Sequence, residues 1–302
     1  MGISIYKIKK WARMIAGKSI YHVNQGPGLL FSKTELKGYY NNLTEKVLRC
    51  TCPSNEVPSS IVDSGEKVFF SIAIFQYGLG AYDLYLKDGK DDYLQMVYTC
   101  ANWAVDNQEK NGGWKTFSQK KEIHPYSAMA QGEGISLLLR AYEISKNESF
   151  LASAKKAMSF LLTPIENGGV TKYEGEDVYF MECLYLPLVL NGWIFSIWGL
   201  IDYCKVVKDE IVNDALKRTL ISLKNKLIDF DTGYWSKYEE SKMIASPFYH
   251  SLHIAQLNVM FDLTGEETFK AYADRWSGYQ NSFIKPKYAF VKKALQKIME
   301  RS

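Results

Sequence analysis

No run of eighteen apolar residues occurs in this 302-residue chain, so the sequence predicts no membrane-spanning helix. The N-terminus lacks the continuous apolar core of a signal peptide. Cysteines are few, odd in number and irregularly spaced: Cys50, Cys52, Cys100, Cys183 and Cys204. Only Cys50 and Cys52 lie close together, and no second pair completes a zinc site. We therefore expect reduced thiols, no metal, no cofactor and a cytoplasmic protein. Acids are absent from residues 1–18, which hold Lys7, Lys9, Lys10, Arg13 and Lys18. Residues 285–302 carry six basic residues against Glu300 alone. With a whole-chain charge of only +4, the body between these ends is net acidic. A nucleic-acid-binding domain would show a basic body, so no nucleic-acid partner is expected.

In the first segment Ile5, Ile8, Trp11, Ala12 and Ile15 recur at helical spacing with the lysines between them. This is the pattern of a basic amphipathic helix. Either it docks on the body with its charged face solvated, or residues 3–16 lie on an anionic membrane surface. The second alternative would place the protein at the inner face of the membrane.

Strand-like alternation is also missing from residue 70 onward. Residues 19–68 read as irregular, with one short helix at most, and Gly26, Pro27, Gly28, Pro53 and Pro58 as breaks. Beyond them a unit of about 60 residues repeats. Ala81-Tyr82-Asp83, Ala141-Tyr142-Glu143, Ile201-Asp202-Tyr203 and Phe261-Asp262-Leu263 are each followed by a polar break. Each unit reads as two helices, and a lone helical hairpin cannot bury its apolar face, so neighbours must stack. The expected class is all-α: an incomplete α/α barrel or toroid of four clear hairpins, with an irregular N-terminal segment. The helices starting near Phe70, Tyr126, Asn191 and Tyr249 should form the inner layer.

Those inner helices begin with polar or aromatic residues and then turn apolar. Their starts hold Gln76 and Tyr77, Tyr126 and Gln131, Asn191 and Trp193, and Tyr249 with His250 and His253. Gathered at one mouth, aromatic faces and amides suit a carbohydrate; taken singly, such residues are ordinary core. In the second unit Gly132 and Gly134 flank Glu133. Glycine costs about 1 kcal/mol relative to alanine inside a helix. Two of them imply a close approach to the backbone, by another helix or by a ligand. The segment Val178 to Leu190 is apolar apart from Glu182. A carboxylate in such a setting has a raised pKa, which makes it a candidate acid or base. The alternative is a carboxylate satisfied by a nearby Arg or Lys.

Tyr126-Ser-Ala-Met-Ala-Gln-Gly-Glu-Gly134, then Glu182, Val189-Leu-Asn-Gly-Trp-Ile-Phe-Ser196, and Tyr249-His250 with His253 resemble the C-terminal domain of D-glucuronyl C5-epimerases. So do Lys37-Gly-Tyr-Tyr-Asn41 and Phe75-Gln-Tyr-Gly-Leu-Gly80. The resemblance covers about residues 36–280. It implies an incomplete α/α barrel that converts D-glucuronate to L-iduronate in a glycan such as heparosan. It also implies that Glu182 and Tyr249 stand at the chemistry. Tyr77, Tyr126, Gln131, Tyr179, Asn191 and Trp193 are then expected substrate contacts. Arg140, His250 and His253 would activate the tyrosine or hold the substrate carboxylate. The family often has Glu-Tyr-Pro where this chain reads Glu182-Cys183-Leu184, so the groove can differ. Competing readings are an α/α-toroid lyase, an unsaturated glucuronyl hydrolase and a non-catalytic glycan-binding module. The expected division is a helix and linker over 1–35, a catalytic domain over 36–284, and a basic helix over 285–302 packed on that domain. The expected partner is a uronate-containing glycan, such as a surface polysaccharide or a lipid-linked glycan; a homodimer is left open.

Overall fold

A computed structural model describes residues 23–61, 67–116 and 124–299. The amphipathic helix expected over residues 3–16 lies outside them. The described chain is mostly helical. A short helix, α1 (Thr44–Leu48), interrupts an irregular N-terminal segment, followed by a two-stranded ribbon of β1 (Ser60–Ile61) and β2 (Lys67–Val68). Then come α2 (Ser71–Asp88), α3 (Asp91–Asp106), α4 (Ala128–Ser145) and α5 (Glu148–Leu161). The hairpin of β3 (Thr171–Glu174) and β4 (Asp177–Phe180) precedes α6 (Leu190–Val206) and α7 (Glu210–Lys226). Last are α8 (Pro247–Thr264), α9 (Glu267–Gln280) and α10 (Lys285–Met299). The β3–β4 hairpin was not legible, because each strand is only four residues long.

Consecutive helices pack as antiparallel pairs, and α2, α4, α6 and α8 touch in that order. Helices α2, α4 and α6 are buried nearly all round over most of their length and α8 over its middle, whereas α3, α5, α7 and α9 bury a single face. A surface helix presents such a one-sided pattern, while a core helix is apolar on every side. Helix α5 is capped by Asn147, α7 by Asp209 and α9 by Glu266, each accepting backbone N–H groups of its first turn. Helix α8 starts on Ser246 with Pro247 at its first position. None of the described helices is long and apolar enough to cross a membrane.

The approach signalled by Gly132 is that of another helix. A Cβ at Gly132 would lie 2.6 Å from the Cα of Ser196, and a Cβ at Gly199 would lie 2.6 Å from the Cα of Gly132. Helices α4 and α6 therefore touch backbone to backbone, and no ligand is needed to explain the glycine.

A buried ion pair ties the N-terminal segment to this core. Arg140 Nη1 lies 2.5 Å from Asp202 Oδ2, linking α4 to α6, and both side chains are buried. The same guanidinium donates twice to the Gly38 carbonyl, from Nε at 2.9 Å and from Nη2 at 2.5 Å. Tyr40 donates to Asp202 at 2.6 Å, and the Tyr39 amide donates to Asp83 at 2.8 Å. The Gly-Tyr-Tyr sequence thus exists to close a polar network between three helices.

Candidate active site

One cavity of about 550 Å³ opens at the starts of the four inner helices. Gln76 and Tyr77 of α2, Met129 of α4, Asn191 and Phe195 of α6, and Tyr249 and Leu252 of α8 line it. Glu182 joins them from the loop before α6, and Lys46 and Arg49 from α1 and its C-cap.

The local backbone explains how Glu182 arrives there. Its neighbour Met181 is pinned on both sides: its amide donates to Val170 at 2.9 Å and its carbonyl accepts from Ala128, the first residue of α4, at 3.0 Å. Asn191 Nδ2 donates to Glu182 Oε2 at 3.4 Å. Tyr238 reaches the same carboxylate with a hydrogen bond from its hydroxyl. Tyr238 is held in turn by Leu190, whose amide donates to its carbonyl at 3.3 Å, so the start of α6 fixes both residues. The hydroxyls of Tyr238 and Tyr249 are hydrogen-bonded, with ring centroids 4.8 Å apart. Glu182, Tyr238 and Tyr249 therefore form one continuous polar chain.

Electrostatics separate the roles. Burial pushes the Glu182 carboxyl up to about 7, against the hydrogen bond from Tyr238 that favours the charged form. Burial also raises the Tyr249 phenol well above its ordinary value, and the negative charge of Glu182 adds to this. Glu133, fully buried one turn into α4, is pushed up to about 8 by burial, with Gln76 and Lys46 pulling the other way. Gln76 Nε2 donates to Glu133 Oε1 at 2.8 Å, while Oε2 has no hydrogen-bond partner among the described residues. Lys46 is lowered to about 8 by burial, with the charge of Glu133 opposing.

Of the residues expected at the site, the structure brings Glu182, Tyr249, Asn191 and Tyr77 to this cavity. Tyr77 contributes its ring, because its hydroxyl donates to Met96 Sδ at 3.4 Å. The others lie elsewhere, which corrects the expectation of direct contact. Arg140 is spoken for by Asp202 and Gly38. The Gln131 amide is bonded to both backbone groups of Trp114, at 3.2 and 3.3 Å. Trp193 is buried and donates to Thr219 of α7 at 2.8 Å, turned outward. Tyr179 packs against that indole, 5.4 Å between centroids. Tyr126 stacks edge-on to Phe160 and its hydroxyl accepts from Asn111.

His250 is sandwiched on Trp235 at 3.6 Å, accepts from the Ser236 amide at Nδ1 and donates from Nε2 to the Trp276 carbonyl. Burial lowers His250 to about 4 and His253 to about 3, so both are neutral core groups at physiological pH. Sequence reasoning missed Lys46, Arg49 and Tyr238, whereas Gln76 was among the helix starts expected at the mouth. Two basic residues three apart in the one short helix of an irregular segment are the only local hint of the cations. Tyr238 lies in a loop and has none.

A family model described as the C-terminus of D-glucuronyl C5-epimerase matches residues 107–278, more than half of the chain. The chain belongs to this family. It is 30% identical over 219 residues to a D-glucuronyl C5-epimerase of Caenorhabditis elegans, covering 63% of this chain and 36% of that protein. It is 28% identical over 155 residues to an uncharacterized protein of Methanocaldococcus jannaschii, covering 49% of this chain and 50% of the relative. The chain thus spans about a third to a half of the relatives it matches. Within the D-glucuronyl C5-epimerase match lie Glu182, Asn191, Tyr238 and Tyr249; the cavity residues Lys46, Arg49, Gln76 and Tyr77 lie before it.

Proposed function

We propose that this chain is a uronate C5-epimerase converting D-glucuronate to L-iduronate in a polysaccharide or a lipid-linked glycan. The observation that carries the reading is the shared cavity of Glu182 and Tyr249, which come from different parts of the chain, with two cations, Lys46 and Arg49, lining the same cavity. The four hairpins are read as an incomplete α/α barrel whose mouth is that cavity, within a catalytic unit spanning residues 36–284.

The C5 proton of a uronate is weakly acidic, and its removal pushes negative charge onto the neighbouring carboxylate oxygens. Lys46 and Arg49 hold that carboxylate and offset the developing charge, which is usually the largest contribution to such catalysis. Glu182, poised near 7, is the base: its Oε takes the C5 proton, and the C–H electron pair moves into the enediolate. Tyr249 keeps its proton at neutral pH and delivers it to the opposite face of the strongly basic C5 carbon. Turnover leaves Glu182 protonated and Tyr249 as phenolate. The Tyr238 hydroxyl, bonded to both, passes the proton back and restores the starting state. Asn191 Oδ1, buried and without a partner among the described residues, is a ready acceptor for a sugar hydroxyl.

The test is incubation of the protein with glucuronate-containing polysaccharides in deuterated water. The expected result is deuterium at C5 without chain cleavage. Release of an unsaturated, ultraviolet-absorbing sugar would assign a lyase instead, and binding with no exchange would leave a glycan-binding module.

A further inference from the structure

Helix α10 presents an apolar row that the body covers only at Tyr288, which packs edge-on against Tyr234 with ring centroids 4.9 Å apart. Ile284, Tyr288, Val291 and Leu295 follow the four-three-four spacing of one helix face, and they are 70%, 51%, 56% and 54% exposed. The Tyr288 amide donates to the Ile284 carbonyl at 3.0 Å, so Ile284 is in helical register although it precedes α10. The docked edge lies about a third of a turn round from it. Ala289 is buried, and Gln296 bonds the Lys242 carbonyl and the Ile244 amide of the loop before α8. Lys285 donates to the Gly233 carbonyl of that same loop at 3.3 Å.

Charge borders the row on both sides. On a helix of 3.6 residues per turn, Lys287 falls on the free flank, and Lys285 and Lys292 fall on the flank beside the body, where they bond Gly233 and Tyr234. The helix holds five lysines and no acid. Long cationic side chains beside an apolar row are the arrangement of a helix lying in a membrane interface, where the stems bury and the heads reach phosphates.

We infer that this face of α10 docks on an anionic lipid surface. A second copy of the same face would set lysines against lysines. Residues 1–18, with five basic residues and no acid, repel it likewise. A nucleic acid would use the lysines and leave the apolar row in water. An anionic bilayer satisfies both features, and it lies outside the cavity and the epimerase reading.

The test is sedimentation of the full-length protein with vesicles of phosphatidylcholine, alone or with about a third phosphatidylglycerol. Measurement is at low salt and at about 0.15 M. Binding is expected to the anionic vesicles only, and to weaken with salt. Val291→Glu with Leu295→Glu should lower partitioning at least about tenfold through the lost apolar insertion. Lys287→Glu should lower it while leaving the melting temperature unchanged. Wild-type binding by both variants overturns the proposal, as does failure of the wild type to bind either vesicle. Loss of binding only on reversing Lys7, Lys9, Lys10 and Arg13 overturns it too, by assigning the contact to the N-terminal segment. A dimer that the Val291 and Leu295 changes dissociate would identify the face as a self-interface instead.

Discussion

The carboxylate of Glu182 rests on Gly192. A Cβ built at position 192 would lie 2.2 Å from Glu182 Oε2 and 2.6 Å from its Cβ. Only a residue without a side chain lets the loop carboxylate close over the first turn of α6. Gly192→Ala should therefore displace the proposed base while the helix, which tolerates alanine well, persists. We expect kcat to fall about 10²-fold, the usual cost of a misplacement near 1 Å. Unchanged circular dichroism with wild-type turnover would remove Glu182 from the chemistry.

Direct removal of the proton-handling groups should be at least as costly. Glu182→Gln and Tyr249→Phe should each lower kcat by about 10²–10⁴-fold. Tyr238→Phe separates the relay from the chemistry. It should slow repeated turnover but leave a first-turnover burst of C5 exchange. Equal slowing of the first and later turnovers would deny Tyr238 a role in proton return.

Activity should follow a narrow bell with pH. Glu182 must be ionised to accept a proton, so activity rises through about 7. Lys46 must be charged to hold the uronate, so activity falls through about 8. Lys46→Arg keeps its charge and should move the alkaline limb upward, whereas Lys46→Met should raise KM more than it lowers kcat. An alkaline limb that ignores both substitutions would separate Lys46 from the substrate.

Stability should oppose activity at the same residue. The folded-state pKa of Glu182 is raised from 4.5 to about 7. Its contribution to stability is therefore greatest below the ordinary carboxylate range and is lost as pH rises through about 7. At pH 8 this amounts to at most about 3 kcal/mol, less what water in the cavity returns. Glu182→Gln should raise the melting temperature at pH 8 more than at pH 5. An equal rise at both would place the ionisation elsewhere.

Arg140 gives an opposite pattern. Removing one member of a buried pair leaves the other uncompensated, at about 3–5 kcal/mol. Arg140→Ala should therefore be strongly destabilising, and Arg140→Met with Asp202→Leu much less so. A stable Arg140→Ala protein with raised KM would return this residue to the substrate.

The inner helices were legible because burial leaves a signature in sequence: polar or aromatic starts, then mostly apolar residues, with glycine where α4 meets α6. Glu182 was legible for the same reason, as the lone charge in an apolar run. His250 and His253 at a helix start, and Arg140 in the later half of α4, misled because a polar residue in an inner helix looks the same whether it faces a ligand or a carbonyl of its own protein. Partners such as Trp276, Ser236 and Gly38 are far off in sequence. Lys46 had only the faint hint of its spacing from Arg49 and Tyr238 had none, since each enters the site by long-range packing of segments with no periodicity.

The Arg140 guanidinium grips the Gly38 carbonyl, and Lys46 and Arg49 follow only eight and eleven residues later. The strand of chain that supplies the cavity's cations is thus moored to the floor of the helical core from outside the family-matched region. A protein trimmed to residues 107–278 would keep the carboxylate and both phenols but lose Lys46 and Arg49, the cations proposed to hold the uronate. It would also leave Arg140 and Asp202 facing an empty berth. The family-matched region and the cavity's lining have different borders here, and the difference lies at the mooring.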